Sequence, residues 1–201
     1  MKYKKCPICE LNYITEDLNM CDVCKQKSKP AAPEKPDIKH KGNNIFWVFQ
    51  GKEYEDELIK GYIWAPLQDK AGHSPAHWIM LENVKEGDII FHGVARGIWA
   101  ISVATSTWFT SKIKDGITPG RQVNCRAFFI KKTIIPSSFR DQIISTCNKY
   151  KYQPFDKNGD GRQGYLFDLN DELAGIFARE LNKKNPNLAT QINGFSDLLK
   201  L

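Results

Sequence analysis

Two Cys-x2-Cys pairs, Cys6-Pro7-Ile8-Cys9 and Cys21-Asp22-Val23-Cys24, stand eleven residues apart near the start of the sequence. That spacing suits two knuckles closing on one tetrahedral ion, and four thiolates suit Zn²⁺ while leaving no coordination position open. A segment this short has no core to fold around, so metal binding and folding are one process in it. The expectation is a small zinc ribbon over residues 1–28, with one structural Zn²⁺ per chain held by Cys6, Cys9, Cys21 and Cys24. The chain has six cysteines. A reducing compartment disfavours pairing them as disulfides, and Cys125 and Cys147, alone in apolar or amphipathic surroundings, read as packing residues. Lys2, Lys4, Lys5, Lys25, Lys27 and Lys29 surround the ribbon with positive charge, which serves phosphate contact and solubility equally well.

Residues 29–42 hold three prolines, several charges and almost nothing apolar, the composition of an extended, semi-rigid linker. The remainder of the chain, from residue 43 onward, is long enough for one good core. No apolar run reaches the roughly 18 residues of a membrane span, and the Met-Lys-Tyr-Lys-Lys start lacks the apolar stretch of a secretory signal. A cytoplasmic protein without a membrane partner is expected. The 29 basic residues against 23 acidic ones give a formal charge of +6, which favours a polyanionic partner.

Ile45 to Phe49 is an aromatic and β-branched run, a buried first strand, and Glu53 to Lys60 suits a short helix. Strands are expected over Ile89–His92 and Gly97–Thr105. In the second, alternation puts Trp99, Ile101 and Val103 on one face and Ile98, Ala100, Ser102 and Ala104 on the other. Arg121 to Ile135 reads as a long or bent strand, and Ser137 to Asn148 as a helix with Pro136 at its start. Asp168 to Asn182 has the clearest helical period, with Leu173, Phe177 and Leu181 recurring and charges placed to suit the helix dipole. Residues 183–201 form a tail or a further helix.

Catalytic motifs are absent from the sequence: it holds no phosphate-binding Gly-x4-Gly-Lys loop and no Glu-x-Lys metal-nuclease pair. Asp156-Lys157-Asn158-Gly159-Asp160-Gly161 starts like a calcium loop, but the twelfth position is Phe167, which cannot supply the bidentate carboxylate. His73, His77 and His92 have no carboxylate or cysteine at ligand spacing beside them. The tryptophans are more telling. Trp47 and Trp99, on strands, read as core. Trp64 and Trp78 sit in or beside the loop 67–76, where a ring normally has nothing to bury against. Trp108 suits either role. A base extruded from a duplex needs a flat apolar slot and a few polar groups on its edge, which Trp and His at loop-strand junctions supply.

The order of these blocks, Phe-Trp-Val-Phe-Gln, Gly-Tyr-Ile-Trp-Ala-Pro, His-Trp, Val-Lys-Glu-Gly-Asp-Ile-Ile-Phe-His, Ala-Ile-Ser-Val-Ala and Gln-Gly-Tyr-Leu-Phe, resembles the EVE-like domains. These belong to the PUA/YTH/ASCH superfamily and serve as modified-base readers in modification-dependent restriction systems. The likeness covers residues 43–182. It implies an α+β fold, a partly open β-barrel flanked by helices, and a cage for a flipped base. By position, Trp64 and Trp78 would wall the cage, Trp47 and Trp99 would lie at its floor, and Gln50, His77, His92 and Ser102 would make polar contacts. Phosphates would meet Lys112, Lys114, Arg121, Arg126, Lys131 and Lys132. The expected partner is modified double-stranded DNA, read on behalf of a separate or fused nuclease. RNA binding in the manner of the wider superfamily, and a nuclease without local motifs, are the alternatives.

Overall fold

The computed structural model describes residues 3–5, 13–15, 19, 44–51, 54–147 and 152–201. The chain divides into two units, Met1–Lys39 and His40–Leu201. In the first, β1 (Tyr3–Lys5) pairs antiparallel with β2 (Tyr13–Thr15), Lys4 opposite Ile14. The expected ligands Cys6, Cys9, Cys21 and Cys24 lie outside the described residues, as does the linker.

The second unit is α+β: a curled half-barrel sheet flanked by helices. Its strands are β3 (Ile45–Phe49), β4 (Tyr62–Pro66), β5 (Ile89–Val94), β6 (Gly97–Ala104), β7 (Phe109–Ser111), β8 (Gly120–Phe129) and β9 (Leu166–Asp168). They are ordered β4-β8-β6-β5-β3-β9, with β7 also on β8. Among the described strands only β3 and β5 run parallel, joined by α1 (Tyr54–Ile59), β4 and the short helix α2 (Ala76–Ile79). The uninterrupted apolar runs at Ile45–Phe49 and Ile89–Phe91 are those of strands buried on both faces. Phe46, Val48 and Ile90 enter one core cluster, and Ile45, Trp47, Ile89 and Phe91 the other.

The first of these clusters also takes Ile63 and Ala65 from β4 and Leu166 from β9, strands at opposite ends of the order. Side chains from both ends can meet only if the sheet curls, so this is the inner face. β8 makes the bend: residues 125–129 pair with β6, and residues 120–124 pair with β4. The outer cluster is closed by α4 (Asp171–Lys184), which buries Leu173, Phe177 and Leu181. Its start is set by Asn170, whose side chain accepts the Leu173 N–H at 2.8 Å. The helix begins three residues later than its period suggests because Asp168 is taken by β9. Residues beyond 182 are no loose tail: Leu188, Ile192, Phe195 and Leu198 complete the same core. The expected helix at 137–148 is a 3-10 turn, Pro136–Phe139, followed by α3 (Arg140–Cys147). Two short helices, α5 (Leu188–Gln191) and α6 (Phe195–Leu198), end the chain.

Trp99 corrects the simple alternation of β6. The pairing of β5 with β6 shifts between His92 and Gly93, with His92 opposite Ala100 and Gly93 opposite Ile98, so Trp99 is the extra residue of a bulge. Ile98, Ile101 and Val103 all join the outer core, whereas Trp99 is turned outward and is 38% exposed.

Candidate functional site

Trp64, the ring the sequence singles out beside a loop, lies on β4 opposite Gln122 of β8, and Phe109 of β7 flanks Gln122 from the other side. Register partners share a face of a sheet. Trp64, Gln122 and Phe109 therefore form a row across three strands, on the face opposite the inner cluster. The next row is Pro66, Gly120 and Ser111.

Gly120 is what lets the indole lie down. A Cβ there would stand 2.1 to 2.3 Å from Trp64 Cε2, Cζ2 and Nε1, so the ring crosses the glycine at a distance no side chain permits. Beside this glycine, Trp64 Nε1 and Ser111 Oγ are both buried without a hydrogen-bond partner. Buried polar groups are nearly always paired. Two such unpaired groups border one glycine here. Gln122 is nearly buried, its Nε2 donating to Asn124 Oδ1 at 2.7 Å, while Phe109 is 40% exposed.

Tyr165 ties this row to the other predicted residues. Its hydroxyl accepts the Trp64 backbone N–H at 3.0 Å, an N–H that points away from β8, and its own backbone N–H donates to His77 Nδ1 at 3.0 Å. His77 is thus a neutral ring with its proton on Nε2, and burial lowers its pKa below the ordinary value. Trp78 packs edge-on to His77, with centroids 5.7 Å apart, and lies half-buried against the inner cluster. Tyr165, which the sequence marks only as part of the Gln-Gly-Tyr-Leu-Phe block, thus links the Trp64 backbone to His77, while the Trp64 and Trp78 rings lie on opposite faces of the sheet.

On the inner face, Gln50, His92 and Ser102 form a second polar group. His92 is fully buried; Nδ1 lies 2.6 Å from Gln50 Oε1 and Nε2 lies 2.7 Å from Ser102 Oγ. Gln50 Nε2 donates to Glu57 Oε2 at 3.0 Å, and Lys114 Nζ donates to Glu57 Oε1 at 2.6 Å. A carboxylate only accepts, so the Gln50 amide nitrogen faces Glu57 and its oxygen faces His92. Nδ1 then carries the imidazole proton and Nε2 accepts from the Ser102 hydroxyl. Desolvation pushes the His92 pKa down to about 3. Both ring nitrogens are engaged within the protein, so the buried ring cross-links Gln50 on one side to Ser102 of β6 on the other. Next to it, burial pushes the Cys125 thiol up to about 11, so this cysteine is inert packing.

The remaining expected residues lie elsewhere. Trp47 belongs to the outer core on β3, stacked edge to face with Phe155 and Phe49 and apart from the row on β4, β8 and β7, and Trp99 faces outward from its bulge. Arg121 is a further correction. Opposite Ala65 on β8 it points inward and is nearly buried, Nε donating to Glu82 Oε1 at 2.6 Å and Nη1 to the carbonyls of Leu67 (2.9 Å) and Pro66 (3.2 Å). It buttresses the turn after β4 and is unavailable to phosphate. Lys112 is exposed, Lys114 is engaged by Glu57, and Arg126 lies over the Phe128 ring at 5.3 Å. Lys131 and Lys132 stand with Lys184 around a shallow hollow at the end of α4. In the loop 156–161, Asp156 Oδ1 accepts the N–H groups of Asn158 and Asp160, while Asp160 pairs with Arg140 at 2.6 Å. Among the described residues, no group of three or more His, Cys, Asp or Glu side chains could hold a metal ion, and no helix is long and apolar enough to cross a membrane.

No family model matches the chain, and no curated protein matches it. Solved structures similar to it include three from structural-genomics work. An NMR structure of a Rhodopseudomonas palustris protein is 9% identical, covers 70% of this chain and 94% of its own length, and has a TM-score of 0.44. A crystal structure from Pseudomonas putida is 10% identical over 68% of this chain and 99% of that one, TM-score 0.46. Another from Agrobacterium tumefaciens is 10% identical over 69% and 92%, TM-score 0.47.

Proposed function

We propose that this chain reads a modified base in double-stranded DNA, holding the extruded base along the row of Trp64, Gln122 and Phe109. The observation that carries the reading is the pair of unpartnered buried groups, Trp64 Nε1 and Ser111 Oγ, beside a glycine that clears space for an indole. A base taken out of its stack needs an aromatic surface to lie on and polar groups for its edge. Phe109 is the accessible end of this row and Trp64 its buried end. Beyond its bond to Asn124 the Gln122 amide keeps its oxygen and a second N–H, an acceptor and a donor side by side, the pattern that pairs with an adenine edge. Tyr165, seated on His77, fixes the Trp64 backbone, and the Gln50–His92–Ser102 group ties β3, β5 and β6 together on the inner face. This narrows the polar contacts expected from the sequence: His92 and Ser102 support the site without touching the base.

Affinity comes from phosphate contacts made by Lys112, Arg126, Lys131 and Lys132, which carry no sequence information. The four thiolates of Cys6, Cys9, Cys21 and Cys24 are a donor set suited to one structural Zn²⁺, whose chemistry is to fold the ribbon. The test is equilibrium binding of Phe109→Ala and Gln122→Ala to paired duplexes differing in one modified base. Each variant is expected to lose about tenfold of its preference, the value of about 1.4 kcal/mol of stacking or edge recognition, while binding plain duplex unchanged. Parallel loss on both duplexes, or preference for a methylated RNA competitor, counts against this reading.

A further inference from the structure

A cavity of about 480 Å³ opens on the Trp47 side of the sheet, away from the row of Trp64, Gln122 and Phe109. Four separated segments build it: the end of β3, the β5–β6 turn, the start of the 3-10 turn at Pro136 and the loop 155–161. Its volume falls within the range of small-molecule sites, roughly 300–1,000 Å³. Three rings make its apolar wall. Trp47 meets Phe155 at 5.1 Å and Phe49 at 5.6 Å between centroids, both edge to face.

Two features of this wall point to a ligand. Trp47 is fully buried and its indole N–H has no hydrogen-bond partner. The edge that carries it lies against Gly93, a cavity residue whose Cβ would come within 2.4 Å of the ring, so bare backbone adjoins the orphan donor. Two arginines also line the cavity. Arg140 is already engaged by Asp160 and by the Asn158 carbonyl, both at 2.6 Å. Arg96 makes no such bond among the described residues. It sits in the β5–β6 turn at φ +72°, following Ala95 at φ +44°. These are the positive φ values that a two-residue type I′ hairpin loop between Val94 and Gly97 requires, so the tight turn itself fixes where Arg96 stands.

We infer that this cavity binds a small planar heteroaromatic anion of the nucleoside monophosphate type, its ring among Trp47, Phe49 and Phe155 and its charge on Arg96. A ring nitrogen or carbonyl supplies the acceptor that the Trp47 indole lacks, and the phosphate supplies the anion that Arg96 lacks. Gln50 links this cavity to the inner face, because it lines the cavity and also holds His92 at 2.6 Å.

The experiment is calorimetric titration of the full chain with AMP, GMP, CMP and UMP, beside the uncharged nucleosides and inorganic phosphate. At least one monophosphate is expected to bind with a Kd below about 1 mM. Its nucleoside should bind about tenfold more weakly, and phosphate alone should give no signal. Arg96→Gln, an exposed substitution checked for an unchanged thermal transition, should reduce the monophosphate to the affinity of the nucleoside. Trp64→Ala should leave it unchanged. Absence of binding by all four monophosphates, equal affinity in Arg96→Gln, or loss in Trp64→Ala, which would place the ligand in the base-reading row, overturns the inference. The first two of these outcomes leave recognition of a modified duplex untouched, and the third moves the ligand to that site.

Discussion

Substituting Gly120 by alanine tests the geometry of the Trp64 row with a single methyl group. The added Cβ would stand 2.1 Å from Trp64 Cε2. Carbon atoms sit comfortably at about 3.5 Å, so the ring must withdraw by about 1.4 Å or β8 must part from β4. The indole is only 8% exposed, and neither movement is free. Overpacking of this kind costs about 1–3 kcal/mol. Urea denaturation of Gly120→Ala should show that loss at unchanged m-value. In a Trp64→Ala background the methyl's three contacts with the indole are gone, so the substitution should cost less than about 0.5 kcal/mol, a coupling of at least about 1 kcal/mol in the double-mutant cycle. Gly120→Ala should also lose preference for a modified duplex while keeping its affinity for a plain one, because phosphate contacts are untouched. Additive costs, or unaltered stability and preference together, would refute the claim that the glycine exists to seat the indole.

Three other outcomes are expected from the same structure. The His92 pKa is depressed to about 3 by burial, against about 6.5 when unfolded. Its stabilising effect is therefore complete above about pH 6.5 and is lost as pH falls from there toward 3, so His92→Asn should flatten the acid side of the stability profile measured by urea denaturation; parallel profiles would contradict this. Arg121→Ala strands Glu82 and two carbonyls and should cost about 1–3 kcal/mol of stability without changing the salt dependence of DNA binding, whereas Lys112→Ala should reduce that slope by about one. Elemental analysis of the purified chain should find one zinc, lost on Cys9→Ser or prolonged chelation, with a retained thermal transition for the unit from His40 to Leu201; a metal-free native chain would remove the ribbon from the account.

Local pattern makes much of the fold readable. The apolar run Ile45–Phe49, the period of Leu173, Phe177 and Leu181, and the small-residue face of Ala100, Ser102 and Ala104 all take the places they imply, because each depends on near neighbours and burial alone. Trp99 departs from its expected face because a bulge slips the register by one residue, and one residue reverses the face. Arg121 looks like a phosphate ligand until Glu82, 39 positions away, folds beside it. The candidate site is half legible. Trp64 stands out in sequence as a ring beside the loop 67–76, yet it lies buried in the middle of β4, and Gln122, Phe109 and Ser111 join it only through the pairing of β4, β8 and β7. Gly120 reads locally as the end of a turn, and nothing nearby announces the ring that lies across it. Tyr165, 101 positions from Trp64, carries no local mark of its hydrogen bond to that strand.

The central claim is that this chain tells a modified base from a plain one through Trp64. The direct measurement is a panel of fluorescently labelled duplexes, identical except for one methylated or hydroxymethylated cytosine or N6-methyladenine, titrated with the full chain and with Trp64→Ala at fixed salt. The account predicts that one modification binds at least about tenfold more tightly than plain duplex, and that Trp64→Ala erases the difference while leaving plain-duplex affinity and fold intact. Equal affinity of the full chain for every duplex in the panel, or a preference that survives the loss of Trp64, would contradict it.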